Sequence, residues 1–247
     1  MPVYVILGAT GGIGAPLCRR LSASGATLVL GARTSDALAA LAGETGASAF
    51  TLDATDADAV DAVVQGAVEA HGRIDGIVNL VGSILLKPAH ATSPADFQET
   101  LRLNLTTAFN TVRAGARAMQ KNKDPQGGSV VLMSSVAATR GLANHEAVAA
   151  AKAGVEGLAR AAAATYASKQ VRVNVVAPGL VRTPLAGRLV ATEAAVAASA
   201  AMHPLGRIGE PEDLTAAIAL LLDRDASGWI TGQTLGVDGG LGRLRTR

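Results

Sequence analysis

A glycine-rich turn follows directly on the first apolar run of this chain, and that pairing constrains the fold more than any other feature. Pro2-Val3-Tyr4-Val5-Ile6-Leu7 reads as a buried strand. Gly8-Ala9-Thr10-Gly11-Gly12-Ile13-Gly14 then leads into a helical stretch through Arg19, Arg20 and Leu21. Glycine is needed where a backbone must turn sharply and approach a pyrophosphate, and the helix that follows presents free N–H groups to the anion. The spacing Gly8, Gly12, Gly14 is not the G-x-G-x-x-G fingerprint, so the turn alone also fits an ordinary strand-to-helix connection.

The rest of the chain repeats the theme. Short Val/Ile/Leu runs recur at 3–7, 27–30, 74–80, 129–133, 171–176 and 234–237, separated by longer amphipathic or Ala-rich stretches. Continuous apolar strands alternating with helices predict an α/β fold: a doubly wound, Rossmann-type parallel sheet with helices on both faces. With 247 residues and no linker, charge run or low-complexity break, a single domain over 1–247 is expected. The Ala-rich segment 147–167 keeps a helical stripe through Val148, Val155, Leu158 and Ala162, and its small residues permit close helix packing.

Composition excludes several classes. An apolar fraction of 49% with 17% charge argues against disorder, and the single Cys18 argues against a disulfide scaffold and for a reducing, cytoplasmic compartment. No apolar run reaches the roughly 18 to 20 residues that span a bilayer. The N-terminus shows no basic leader or small-residue cleavage site, so no signal peptide is expected. A net charge of +2 without like-charge blocks gives no footprint for nucleic acid. Small-molecule chemistry remains, and no His or Cys spacing suggests a metal site.

The end of the second run bears on the cofactor. An acidic residue there would bond the adenosine ribose, whereas an Arg would accept a 2′-phosphate. The sequence reads Leu30-Gly31-Ala32-Arg33-Thr34-Ser35, which favours NADP(H) over NAD(H); the alternative is that Arg33 merely faces solvent on a surface turn.

With these features the chain resembles the short-chain dehydrogenase/reductase family over essentially its whole length. Asp53 in Thr51-Leu52-Asp53-Ala54 is similar to the family's adenine-contacting Asp after a third strand. Asn79-Leu80-Val81-Gly82 is similar to its Asn-Asn-Ala-Gly segment, though the middle residues differ. Asn104 in Leu103-Asn104-Leu105 matches the Asn of a water-linked proton relay, and Ser135 after Val130-Val131-Leu132-Met133-Ser134 matches the catalytic Ser. Ala150-Ala151-Lys152-Ala153-Gly154 matches the segment of the active-site Lys. Asn174-Val175-Val176-Ala177-Pro178-Gly179 with Thr183 resembles the nicotinamide-side loop. The resemblance also implies a homotetramer, built partly from helices within 100–119 and 147–167, and a substrate lid around 184–209. Gly8, Thr10, Gly12, Ile13 and Gly14 become the cofactor's phosphate loop, and Lys152 a contact of its nicotinamide ribose.

One position departs from the pattern. The family's proton-donating Tyr lies four residues before the Lys and thirteen after the Ser, and both counts lead to Val148. An isopropyl group exchanges no proton, so the usual Ser-Tyr-Lys transfer cannot run through this residue. Tyr166 stands three residues before Lys169 with no Ser-bearing strand upstream, and Tyr4 lies in the first strand; both read as structural. His145 is the substitute to test. At about 100° per residue, a helix reaching back to it would put His145, Val148 and Lys152 on one face. Seven before the Lys is also where the related enoyl-acyl-carrier-protein reductases carry their Tyr. The alternative is that Asn144 caps the helix and leaves His145 in its first turn. His71, His90 and His203 read as isolated. The expected function is thus an NADP(H)-dependent oxidoreductase with an atypical proton donor, acting on a small carbonyl, imine or enone. The alternative is a catalytically silent cofactor-binding partner or regulatory subunit.

Overall fold

Strands without a polar face must be covered from both sides, and this requirement organises the molecule. The computed structural model describes residues 1–245, with Arg188 described by its backbone alone. The expected domain runs on to Thr246 and Arg247, which lie outside the described residues. Seven strands, β1 (Val3–Leu7), β2 (Thr27–Ala32), β3 (Ser48–Thr51), β4 (Gly76–Asn79), β5 (Gly128–Met133), β6 (Val171–Pro178) and β7 (Thr234–Val237), form one sheet in the order β3-β2-β1-β4-β5-β6-β7. Every pairing is parallel. The helices between them are α1 (Gly14–Ala23), α2 (Ser35–Thr45), α3 (Ala57–His71), α4 (Pro94–Leu101), α5 (Thr107–Met119), α6 (Glu146–Tyr166), α7 (Glu193–Met202), α8 (Pro211–Leu222) and the short α9 (Arg224–Ser227).

Alternation within β1 shows how the sequence divides the core. Successive side chains of a strand point to opposite faces. Val3, Val5 and Leu7 join one apolar cluster with Val60 and Val64 of α3, Val112 of α5 and Val155 of α6. Tyr4 and Ile6 join the other, with Leu17 and Leu21 of α1 and Ile218 and Leu221 of α8. Each fully buried aliphatic side chain contributes about 1.5–3 kcal/mol to holding the two helical layers on the sheet.

The doubly wound architecture is the predicted one, with two local corrections. The six apolar runs miss β3, whose residues Ser48, Ala49, Phe50 and Thr51 are all exposed. An edge strand has one neighbour and little burial, so it lacks the apolar signal of the central strands. The run at 74–80 shortens to four strand residues, Gly76–Asn79, and the Asp75 carboxylate just before them accepts Val3 N and the Arg73 guanidinium.

Chain direction reverses between β1 and β4, where successive strands leave towards opposite edges. Such a switch point opens a crevice beyond the carboxyl ends of the strands. No helix among the described residues is long and apolar enough to cross a membrane.

Candidate active site

The glycine turn sits in that crevice. Gly8 takes φ +79°, and the N–H groups of Gly8 and Ala9 donate to Gly31 O of β2. A Cβ on Gly14 would run into Gly8 O and Ala9 O, so backbone approaches backbone there, and one on Gly12 would lie 2.8 Å from the side-chain atoms Thr183 Cβ and Pro184 Cδ. No described side chain caps α1, but Ala15 N donates to Gly11 O, Leu17 N donates to Ile13 O and Pro16 has no N–H, so an anion here would meet the N–H groups of the turn rather than those of the helix. The groove runs from this turn past Arg33 and Asp53 on one side to Gly82 and Thr183 on the other. Larger clefts lie elsewhere, about 710 Å³ between α3 and α5 and about 920 Å³ at the amino ends of the strands, and neither contains a predicted site residue. Asp53 accepts Thr55 N at 2.9 Å. That backbone bond, with Arg102 and Arg33 nearby, holds its carboxyl below the usual carboxylate range.

At the far end, α6 turns Val148, Lys152 and Glu156 inward at four-residue intervals, all buried. Lys152 Nζ donates to Met133 O at the end of β5, 2.9 Å away, and burial pushes its ammonium down to about 8. The Ser134 hydroxyl lies 2.9 Å from Glu156 Oε1 and 3.2 Å from Lys152 O, pinning the end of β5 to α6. Ser135 is therefore fixed relative to Lys152. Its Oγ accepts Ala137 N at 3.2 Å, which leaves its own hydrogen free to donate.

Gly82 marks where the groove meets this cluster. A Cβ there would stand 2.8 Å from Asn104 Oδ1 and 3.3 Å from Lys152 Nζ. Asn104 is buried in a π-helical turn, Arg102–Thr106, between α4 and α5; such turns recur at functional sites. Its Nδ2 donates to Ser83 Oγ and Thr100 O, both at 2.9 Å, and its Oδ1 accepts Ser83 N at 3.2 Å. The amide thus holds the Gly82-Ser83 loop, and the second lone pair of Oδ1 is what it can offer a water.

Other predicted residues are placed differently from one another. Asn79 is buried with Nδ2 on Thr107 Oγ1 and Oδ1 on Val81 N, so its side chain braces the loop from beneath rather than facing the groove. Pro178 ends β6, and a Cβ on Gly179 would lie 2.6 Å from His203 Nε2. His203 is not isolated: its Nδ1 bonds Ser199 O at 2.7 Å and its Nε2 accepts Leu180 N, anchoring that loop. Thr183 caps the short 3-10 turn Pro184–Leu189.

The helical face proposed for His145 needs correction. Asn144 takes φ +63° and does not cap the helix; His145 itself occupies the N-cap position at φ −105°, ψ 9°, and α6 begins at Glu146. His145 itself lacks helical dihedrals, so the 100° spacing does not carry back from Lys152 to it, and the left-handed Asn144 prevents any further extension. The His145 Nδ1–H donates to Ala143 O at 2.8 Å, which makes Nε2 the free basic nitrogen of the neutral ring. Tyr4 is buried and Tyr166 packs against the core, as structural readings of both require.

Residues 8–242 match the family model described as Enoyl-(Acyl carrier protein) reductase. The chain is 37% identical over 243 residues to cis-4-hydroxycyclohexanecarboxylate dehydrogenase of Sinomonas cyclohexanicum, covering 96% of this chain and 95% of that protein. The chain belongs to the short-chain dehydrogenase/reductase family. A 3-oxoacyl-(acyl-carrier-protein) reductase of Thermotoga maritima is 34% identical, with 97% of each chain covered. Among solved structures, a short-chain type dehydrogenase/reductase from Mycobacterium ulcerans superposes with a TM-score of 0.92 at 30% identity, covering 99% of this chain and 90% of that one. Levodione reductase follows at 0.91 and 29%, covering 99% and 98%. The similar proteins are dehydrogenases and reductases, so this member of the family is an oxidoreductase by descent. Sequence reasoning missed Ser83, Ser134, Glu156 and Arg102 around its groove; each acts through a contact with a residue far away in the chain, for which no local spacing gives a signal.

Proposed function

We propose that this short-chain dehydrogenase/reductase is an NADP(H)-dependent oxidoreductase with an altered proton donor, acting on a small carbonyl, imine or enone. One observation carries the reading: Lys152 and Asn104 converge on Gly82, beside the Ser135 end of β5, at one end of a groove whose other end holds the glycine turn and Arg33. The turn, with Gly8, Thr10, Gly12, Ile13 and Gly14, would take a pyrophosphate on its own backbone N–H groups at the start of α1. Asp53 would meet the adenine, and Gly82, Pro178, Gly179 and Thr183 the nicotinamide side, with Asn79 bracing Gly82. When bound, the cofactor supplies a hydride; the chain has to place the substrate carbon and manage one proton. Lys152 would bond the ribose with the N–H groups not spent on Met133 O. Ser135 would donate to the substrate oxygen or nitrogen.

In this reading Val148 stands where the family's Tyr would be, and the proton comes either from His145, whose Nε2 must first take one up before it can give it, or from a water chain reaching Asn104 and Lys152. His145→Ala separates the two. Lost turnover with NADPH affinity kept assigns the proton to the imidazole; an unchanged rate assigns it to water. Arg33→Ala is expected to weaken NADPH by about 10- to 100-fold and NADH little, because a charge-assisted bond to phosphate contributes about 1.5–3 kcal/mol. Equal losses for both cofactors, measured by titration calorimetry, would make Arg33 an ordinary surface residue. Relatives named for a hydroxycyclohexane carboxylate, a sugar alcohol and a 3-oxoacyl group support carbonyl–alcohol chemistry. The segment 184–209, with Leu185, Met202 and Leu205 exposed, suits an apolar lid. A cytoplasmic homotetramer packed through α5 and α6 completes the proposal, supported by the small residues of α6.

Val148 also favours a second reading, a cofactor-binding member without turnover. Oxidation of NADPH against a panel of ketones, quinones, imines and enones decides between them.

A further inference from the structure

The loop between β3 and α3 closes the adenosine end of the groove, yet β3 is an exposed edge strand that gives it little support. Leu52 and Ala54 root the loop in the core, and what holds its polar side chains comes from the opposite wall. Arg102, in the π-helical turn, grips both oxygens of Glu99 at 2.7 and 2.8 Å. The same guanidinium reaches Thr55 Oγ1 and stands 3.8 Å from Asp53 Oδ2. Asn110 of α5 adds bonds to Ala54 O and Thr55 O at 3.1 and 3.2 Å. The next residue after Arg102, Leu103, lines the groove itself.

From this arrangement we propose that Arg102 is a positioning residue for the adenosine half of the cofactor, acting through Asp53 and Thr55 and held in place by Glu99. The proposal rests on the cofactor reading above and adds to it a residue that touches no ligand. A planar guanidinium meets Glu99, Thr55 and Asp53 together; an ammonium is a single point charge and cannot span them. Arg102 and Glu99 are about half exposed, and ion pairs in water add little to folding stability. Removing Arg102 therefore leaves the fold intact, with Asn110 still holding the loop backbone, and frees the Asp53 and Thr55 side chains, whose ordering must then be recovered on binding.

The test is titration calorimetry of wild type, Arg102→Ala, Arg102→Lys and Arg33→Ala with ADP-ribose and with 2′,5′-ADP, alongside thermal unfolding without ligand. Arg102→Ala is expected to weaken both ligands alike by about tenfold, the cost of ordering one loop residue. Its Tm should stay at the wild-type value, and Arg102→Lys should recover part of the affinity. Arg33→Ala should weaken 2′,5′-ADP alone. Wild-type affinity in Arg102→Ala overturns the proposal, as does a loss confined to 2′,5′-ADP, which would make Arg102 a direct phosphate contact. A loss with a lowered Tm makes the residue merely structural. If wild type binds neither ligand, the cofactor reading itself fails and takes this one with it, an outcome distinct from the others.

Discussion

Val148→Tyr is expected to raise NADPH-linked reduction by about 10²- to 10⁴-fold over wild type, the range that a positioned general acid supplies. Residue 148 lies one helical turn before Lys152 on the inward face of α6 and is only 5% exposed. A phenol placed there would sit beside the buried ammonium, and an adjacent positive charge draws a phenol from about 10 towards neutral pH, where it can give its proton. The added volume is a competing term, since overpacking costs about 1–3 kcal/mol. A thermal melt of the variant therefore accompanies the kinetics. Comparing rates for both proteins on the same carbonyl and enone panel separates three outcomes. An active wild type with a faster variant shows a working enzyme whose donor is improvised. A silent wild type with an active variant shows an assembled site that has lost its acid. A folded variant no faster than wild type means that residue 148 does not face the reacting atoms, and the proposed correspondence with the family's Tyr falls.

Lys152→Met should produce a more stable protein that binds NADPH at least tenfold more weakly. The lysine is buried with no carboxylate partner at Nζ among the described residues, and its pKa is depressed from 10.5 to about 8 by desolvation. Below pH 8 the group is protonated in both the folded and the unfolded chain, so the whole cost of burying the charge is present, about 3 kcal/mol for this shift. Between pH 8 and 10.5 the folded state sheds its proton first and stability rises with pH. Above 10.5 the penalty is gone. Methionine has similar volume and no charge, and it gives up one hydrogen bond to Met133 O that contributes about 1 kcal/mol. The net gain near pH 7 is about 2 kcal/mol, or roughly 4–8 °C in Tm for a chain of this size. That advantage should shrink as pH rises from 8 to 10.5. A Met variant no more stable at pH 7, or one whose advantage grows in alkali, would contradict the assignment. Retained NADPH affinity would remove Lys152 from the ribose. Gain in stability with loss of binding is the pattern expected where a strained group is kept for function.

The order of strands and helices is readable in the chain because it depends on short-range chemistry. Apolar runs of strand length, glycines where the backbone must close up and a 3.6-residue stripe along α6 need no knowledge of distant residues, and they located β1, the glycine turn and α6, whereas Lys152 was singled out by resemblance to the family's motif. The same reasoning passed over β3, whose exposed Ser-Ala-Phe-Thr carries no burial signal. It also carried the face of α6 one residue too far, because periodicity cannot show that His145 leaves the helical conformation after a left-handed Asn144. Residue identity alone told that position 148 has no proton to give. Folding supplied the relations between remote segments: Gly82 against Asn104 and Lys152, Ser134 against Glu156, Arg102 against Thr55 and Asp53. These pairs are separated by 22 to 70 residues, and their geometry follows from how helices settle on a twisted sheet rather than from any spacing along the chain. A site is therefore named in the sequence by its residue types, while the distances that give those residues chemistry exist only once the layers have packed.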